Sequence, residues 1–390
     1  MSSVMVGLDL AKSVFQVHGE DEAGRVTLSK RLGRASLERF FAELAPAVVG
    51  MEACGSAHHW ARCLRAMGHE VRLVPAAYVK PFVRRNKTDA RDAAAICAAM
   101  QRPDMRFVPI KSLEQQAARG LESARELLVR QRTQLHNAFR AMLAEFGVVA
   151  PQGELGLARL AEALQAPDCL VPEAARPALQ ALLEQAGSLQ QAIADLHQVI
   201  VARVRTDPAM RRLTGVPGIG ELGAHAIVAA IGDGRQFKSA RAFAAWTGLT
   251  PREHQSAGKR RQGGISRQGD QGLRRLLVLG ASAVMRQRRI KPERASPWQA
   301  GILARRPVKV AVVAQAAKTA RIAFAMLRSG QPYQARQVSP DGQISPDGQV
   351  SPDGQVSPKG QARPKGQPKR QARPKGLTEP NVISLATVAA

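Results

Sequence analysis

The stretch VMVGLDLAKSVFQVH, residues 4–18, decides the fold. It holds two short apolar, β-branched runs, residues 4–8 and 13–18, with Asp9 directly after the first. Runs of this length and composition read as β-strands. The turn cluster Glu20-Asp21-Glu22-Ala23-Gly24 leads to a third strand near Val26–Leu28. Beyond it the pattern alternates. Leu37–Leu44 has helical spacing, Ala47–Met51 is a buried-type strand ending at Glu52, and residues 56–67 read as a helix. Val71–Val74 is another buried strand, and residues 88–100 form a helix with Thr88 as its N-cap. Three strands in a row followed by alternating helices and strands predict a mixed α/β sheet over residues 1–105.

A different regime begins at Ser112. Leu113, Ala117, Leu121, Ala124, Leu128, Gln131, Leu135, Ala138 and Met142 follow a four-three alternation, which returns at Leu182, Ala186, Leu189, Ile193, Leu196 and Ile200. Residues 106–206 are therefore expected to hold two long amphipathic helices, either an ordinary bundle or an antiparallel coiled coil used for homodimerisation or higher assembly. Residues 207–330 read as a third, mostly helical unit with a Gly- and Arg-rich centre. From residue 337 to 366 the chain repeats every six residues (QVSPDG, QISPDG, QVSPDG, QVSPKG, QARPKG), and residues 331–390 are expected to be a disordered tail.

Charge narrows the partners. The net charge is +26, and residues 1–330 carry +22 of it, so the excess lies on the body rather than on a basic arm. Such a body meets nucleic acid or an anionic surface. Three Trp and two Tyr are too few for single-strand binding by stacking alone. No uninterrupted apolar run reaches the ~18 residues of a membrane span, and the N-terminus does not read as a signal peptide. Four scattered cysteines, Cys54, Cys63, Cys97 and Cys169, form no CxxC pair. They argue against a disulfide scaffold or zinc ribbon and fit a reducing cytoplasm.

Four carboxylates stand where chemistry can use them. Asp9 and Glu52 end strands, and Asp89 and Asp92 sit three apart on one helix face. Oxygen-only ligands suit Mg²⁺, and two bound ions can clamp both oxygens of a phosphoryl transfer. The order strand Asp, strand Glu, helical Asp pair is the layout of ribonuclease-H-like nucleases, and Arg84, Arg85 and Lys87 would meet phosphates there. In the third unit, TGVPGIGELGAHAIVAAIGD (214–233) reads as a helix–hairpin–helix. Its turn makes Pro217, Gly218 and Gly220 candidate DNA contacts, because glycines let backbone N–H groups approach a phosphate. Ser256 sits in a small-residue turn beside Lys259, Arg260 and Arg261, within a span from Arg252 to Arg306 holding fourteen basic and three acidic residues. A hydroxyl among cations is suited to attack a phosphodiester, with the cations also contacting DNA. Ser266 is the competing choice. His58, His59 and His254 are assigned no role.

These residues resemble a known family. GLDLAKSVFQVHG (7–19), VVGMEACGSAHHWAR (48–62) and RRNKTDARDAAAI (84–96) look like the N-terminal domain of the DEDD transposases of bacterial insertion sequences. The resemblance continues through residues 128–147, 213–227, 248–277 and 305–330, in the family's order. It implies a RuvC-like, ribonuclease-H-like domain in which Asp9, Glu52, Asp89 and Asp92 bind Mg²⁺, with Ser256 as covalent nucleophile. It also implies guidance by a noncoding RNA encoded by the element, for which Arg132, Asn137 and Arg140 in the basic part of the first long helix offer a surface. Two positions depart from the family pattern: Ala257 stands where Gly usually follows the serine, and Ala317 where Asn usually precedes Lys318. The rival expectations are a Holliday-junction-resolvase-like endonuclease and an inactive DNA-binding relic.

Overall fold

The computed structural model describes residues 5–83, 88–256 and 258–334. The expected tail beyond residue 334, the Arg84, Arg85 and Lys87 group, and Ala257 lie outside the described residues, as does the side chain of Arg260.

The chain opens with β1 (Met5–Asp9), β2 (Val14–Glu20) and β3 (Val26–Gly33), then α1 (Arg34–Glu43), β4 (Val48–Glu52), α2 (Ala57–Ala66) and β5 (Glu70–Val74). A short α3 (Ala76–Val79) precedes α4 (Asp89–Met100). The five strands form one sheet in the order β3-β2-β1-β4-β5. The β1–β2 and β2–β3 pairs are antiparallel, while β1–β4 and β4–β5 are parallel. The expected mixed sheet is thus present. Side chains alternate across a strand, so Val6, Leu8, Val49 and Met51 pack on one face against Leu37, Phe41, Trp60 and Leu64 of α1 and α2. The opposite face takes α4. His69 ties the first layer together from inside: its Nδ1 accepts the Ala47 amide at 3.2 Å and its Nε2 donates to the Phe41 carbonyl at 2.8 Å.

α5 (Leu113–Ala144) starts with a reciprocal cap, Ser112 Oγ taking the Gln115 amide while Gln115 Oε1 takes the Ser112 amide. After α6 (Glu154–Gln165), α7 (Arg176–Thr206) runs back along α5. Phe139 and Leu143 of α5 share a core with Leu179 near the start of α7, Arg132 meets Gln190, and Leu121 packs with Ile200. The two helices are therefore antiparallel. The seam keeps the expected α7 line and Leu121, Leu128, Leu135 and Met142 of α5, and departs from expectation between them. Ala117, Ala124, Gln131 and Ala138 are exposed, and the line one residue on, Ala118, Arg125, Arg132 and Phe139, turns inward. Long arginine stems fill a seam as apolar matter while their heads stay polar, which apolar counting does not register.

The remaining elements are α8 (Pro208–Leu213), α9 (Glu221–Ile231), α10 (Ala240–Trp246), β6 (Pro251–Ser256), β7 (Lys259–Ile265), α11 (Gln271–Ile290), α12 (Pro297–Arg305) and α13 (Val308–Ser329). Ala311, Ala316, Ala320 and Phe324 of α13 are buried against Ile227, Phe243, Leu273 and Leu277 in the largest core. By length and composition α13 is apolar enough to cross a membrane, although no long unbroken apolar run was evident in the sequence; half of that segment is buried inside the protein. The β6–β7 hairpin is an addition to the mostly helical unit expected there.

Candidate active site

Two glycines build the site. Gly7 of β1 pairs with Gly50 of β4 across the parallel ladder. A side-chain carbon at Gly7 would overlap the Ala93 carbonyl of α4, and one at Gly50 would overlap the Met100 thioether. The missing side chains let α4 lie directly on the sheet. Two residues further on, each strand points the same way again. Asp9 and Glu52 therefore emerge on the α4 side, at the strands' C-terminal ends.

The first turn of α4 meets them. Thr88 caps the helix, its Oγ1 accepting the Arg91 amide at 3.4 Å, so Asp89 and Asp92 fall in that turn. Asp9, Asp89 and Asp92 each bring a carboxylate oxygen to within 4.8 Å of the other two. Three hard oxygen donors converging from a strand and a helix fit a divalent cation such as Mg²⁺ or Mn²⁺. Glu52 stands on the neighbouring strand, outside this close trio, opposite Val74 of β5.

Cys54 is the residue here that sequence reasoning left without a role. Burial, then the charges of Glu52 and Asp9, push its thiol above the ordinary range. It follows Glu52 by two residues, which was the available signal. At the far side of α2, the Lys111 amide donates to His58 Nδ1 at 3.2 Å, and Lys111 Nζ lies 3.2 Å from His58 Nε2. Burial, Lys111 and Arg62 hold His58 down at about 4. Burial and Arg119 lower Lys111, partly offset by Asp270.

The other expected site residues stand elsewhere. Ser256 is the last residue of β6, exposed, paired with Lys259 across the turn at Gly258. Lys259 and Arg261 are exposed on β7. The two strands pack mainly on each other, and no major packing joins them to β1, β4 or α4 among the described residues. Ser266 lies at the hairpin's base, its amide donating to the Thr250 carbonyl at 2.9 Å. Pro217, Gly218 and Gly220 form a tight turn between α8 and α9, closed by the Ile219 amide on the Val216 carbonyl at 2.9 Å. Gly218 has φ +91° and lies against Gly280 of α11, while Pro217 and Gly220 are exposed. Arg132 bonds Gln190 across the helix pair, and Arg140 donates to the carbonyls of Ala150, Pro151 and Gly153 at 2.9–3.2 Å. Asn137 is exposed.

Known proteins resemble the chain along most of its length. Residues 6–147 match a model of the DEDD transposases of the IS110 type, and residues 210–296 match one described as "Transposase IS116/IS110/IS902 family". The chain is 47% identical over 329 residues to the "Probable family 20 transposase" of Pseudomonas aeruginosa, covering 84% of this chain and 97% of that one. It is 37% identical over 329 residues to the "Transposase for insertion sequence element IS1328" of Yersinia enterocolitica, covering 84% and 97%. The "Transposase for insertion sequence element IS1111A" of Coxiella burnetii is also 37% identical, over 336 residues, with 85% and 91% covered. A sheet that delivers strand and helix acids to one point, and relatives alike along most of their length, lead to one conclusion: this chain belongs to the IS110-type DEDD transposase family, enzymes that cut and join DNA.

Proposed function

We propose that this transposase cuts and rejoins the DNA of an insertion sequence at a composite site, with Mg²⁺ held by Asp9, Asp89, Asp92 and Glu52 and with Ser256 as nucleophile. The observation that carries the reading is the convergence of Asp9, Asp89 and Asp92. A divalent ion bound there would neutralise phosphate charge and polarise the P–O bond. The chain's own residues do the rest. Ser256 Oγ attacks phosphorus, forming a phosphoserine ester as one P–O bond of the strand breaks. The serine proton is lost to solvent, and the departing oxygen takes one up. Attack by a hydroxyl of the receiving strand reverses the exchange and frees the serine. Lys259 and Arg261 flank the attack point and balance the charge that develops.

The chain is read as a catalytic unit over residues 1–105, a helical region over 106–206 that assembles homodimers or larger forms as a coiled coil, and a serine-bearing unit over 207–330. In the last, the α8–α9 turn acts as a helix–hairpin–helix toward DNA through Pro217 and Gly220, with Gly218 shaping the turn. A guide RNA encoded by the element is the expected second nucleic acid, with Asn137 as its most accessible contact and Arg132 and Arg140 able to join by exchanging their internal partners. The location is the bacterial cytoplasm, on the nucleoid. Incubation with element-end DNA and Mg²⁺, followed by denaturing electrophoresis, tests the reading: a protein–DNA adduct lost in Ser256→Ala supports it. A resolvase-like endonuclease using water is the second reading. The want of any major packing between the serine hairpin and β1, β4 or α4 favours it, and nicking that survives Ser256→Ala at full rate would establish it.

A further inference from the structure

Four polar side chains that the proposed chemistry does not use form a continuous chain through the junction of α5, α9 and α11. His225, fully buried on α9, places Nδ1 2.8 Å from Glu122 Oε1. A carboxylate oxygen only accepts, so Nδ1 carries the proton. The other Glu122 oxygen takes Arg119 Nη1 at 2.6 Å, and Arg119 Nη2 reaches Asp270 Oδ2 at 2.8 Å. Asp270 Oδ1 accepts the Leu273 amide at 2.9 Å and so caps α11. Arg119 thus spans two carboxylates with two different nitrogens, which fixes the plane of its guanidinium.

The helix that carries Arg119 and the aspartate it holds lead to the two parts of the proposed site. Upstream, α5 begins two residues after Lys111, and Lys111 is tied to α2. Its amide donates to His58 Nδ1 at 3.2 Å and its carbonyl accepts Arg62 Nη1 at 2.7 Å. α2 itself starts five residues after Glu52. Downstream, Asp270 directly follows the segment leaving β7. That segment is pinned: the Arg267 amide donates to the Gly248 carbonyl at 3.1 Å, and Arg274 Nη1 to the Gln268 carbonyl at 2.7 Å. Gly269 sits where any side-chain carbon would overlap the Trp246 carbonyl. The base of the hairpin therefore moves with Asp270.

We propose that Arg119 and Asp270 form a positioning clamp that sets where the β6–β7 hairpin stands relative to the acid-bearing unit, with Glu122 and His225 holding Arg119 in place. Its catalytic consequence, though not the clamp itself, rests on the Ser256 reading above. The alternative, that these residues only glue helices together, predicts an effect on stability alone.

Asp270→Asn separates the two. Asparagine caps a helix as well as aspartate does, but it removes the charge that Arg119 holds. The full-length chain, with Cys54, Cys63 and Cys169 changed to Ser, would carry spin labels at Arg65→Cys and Gln262→Cys, both exposed positions. Electron–electron double resonance should give one narrow distance distribution for the parent. A broadened or shifted distribution is expected in Asp270→Asn and in Arg119→Gln at unchanged melting temperature, with partial recovery in Arg119→Lys. On element-end DNA, adduct formation by Asp270→Asn in the unlabelled chain should fall about tenfold, because a hairpin without one fixed stance is competent for a smaller fraction of the time, while Mn²⁺ binding stays at the parental level. Distributions in both variants as narrow as the parent's would overturn the clamp. If the distances respond but the parent forms no adduct, the clamp stands and the serine reading falls.

Discussion

Gly7 and Ala93 occupy space that a single added carbon would contest: the Gly7 Cα faces the Ala93 carbonyl with no room for a methyl group between strand and helix. The obstacle is α4 backbone, which yields only if the helix moves. Gly7→Ala is expected to destabilise the chain by about 1–3 kcal/mol. Because Asp89 and Asp92 ride on the displaced helix, metal-dependent cleavage should fall more than stability alone explains. Urea unfolding beside a cleavage assay at a temperature where the variant is folded checks both.

Asp92→Asn keeps size and shape but removes one of the three converging charges. Affinity for Mn²⁺, followed by titration calorimetry, should drop by more than about tenfold, since even outer-shell changes at metal sites cost that much. Binding of duplex DNA, for which the basic surfaces are the expected contact, should change little. Equal metal affinity in the variant and the parent would exclude Asp92 as a ligand.

Ser256→Ala deletes one hydroxyl from an exposed hairpin. Stability should shift by no more than about 0.5 kcal/mol, while covalent adducts and strand exchange vanish. Gel detection of the adduct and a thermal melt report the two halves of this expectation independently.

His58 makes stability depend on pH. Burial and the cations Lys111 and Arg62 depress its value to about 4 in the fold, against an ordinary value near 6.5 in the unfolded chain. On acidification the unfolded state takes up this proton first, so stability present above about pH 6.5 is lost progressively toward pH 4. The difference between unfolding free energies at pH 7 and pH 4.5 should shrink in His58→Gln. A difference of the same size in that variant would show that other groups carry the dependence.

Much of this was legible in the chain. The strands at residues 4–8 and 13–18 announced themselves by β-branched runs, and Thr88 announced its helix by its place before Asp89. Three of the four acids were gathered as expected because strand end and helix start are both fixed by local signals. What escaped was held by something other than burial of apolar groups. β3 runs on to Gly33, well past Leu28, through the polar residues Ser29, Lys30 and Arg31 of an edge strand; edges carry such charges to discourage further pairing. The β6–β7 hairpin is polar and exposed along its first strand, so no hydrophobic alternation marks it. The Arg119–Asp270 contact joins residues 151 positions apart, and no local pattern encodes it.

Every residue assigned a chemical role here precedes Val308, yet the core that frames the serine-bearing unit does not close until α13 is in place. A gene copy truncated by a frameshift just before that helix would still encode all four acids and the serine. Its product would lack the buried row from Ala311 to Phe324 and present the bare walls of α9, α10 and α11 to solvent. Such remnants, complete in their motifs, would be substrates for proteases rather than active transposases. An intact final helix is therefore as much a requirement for a working copy of the element as the acids themselves.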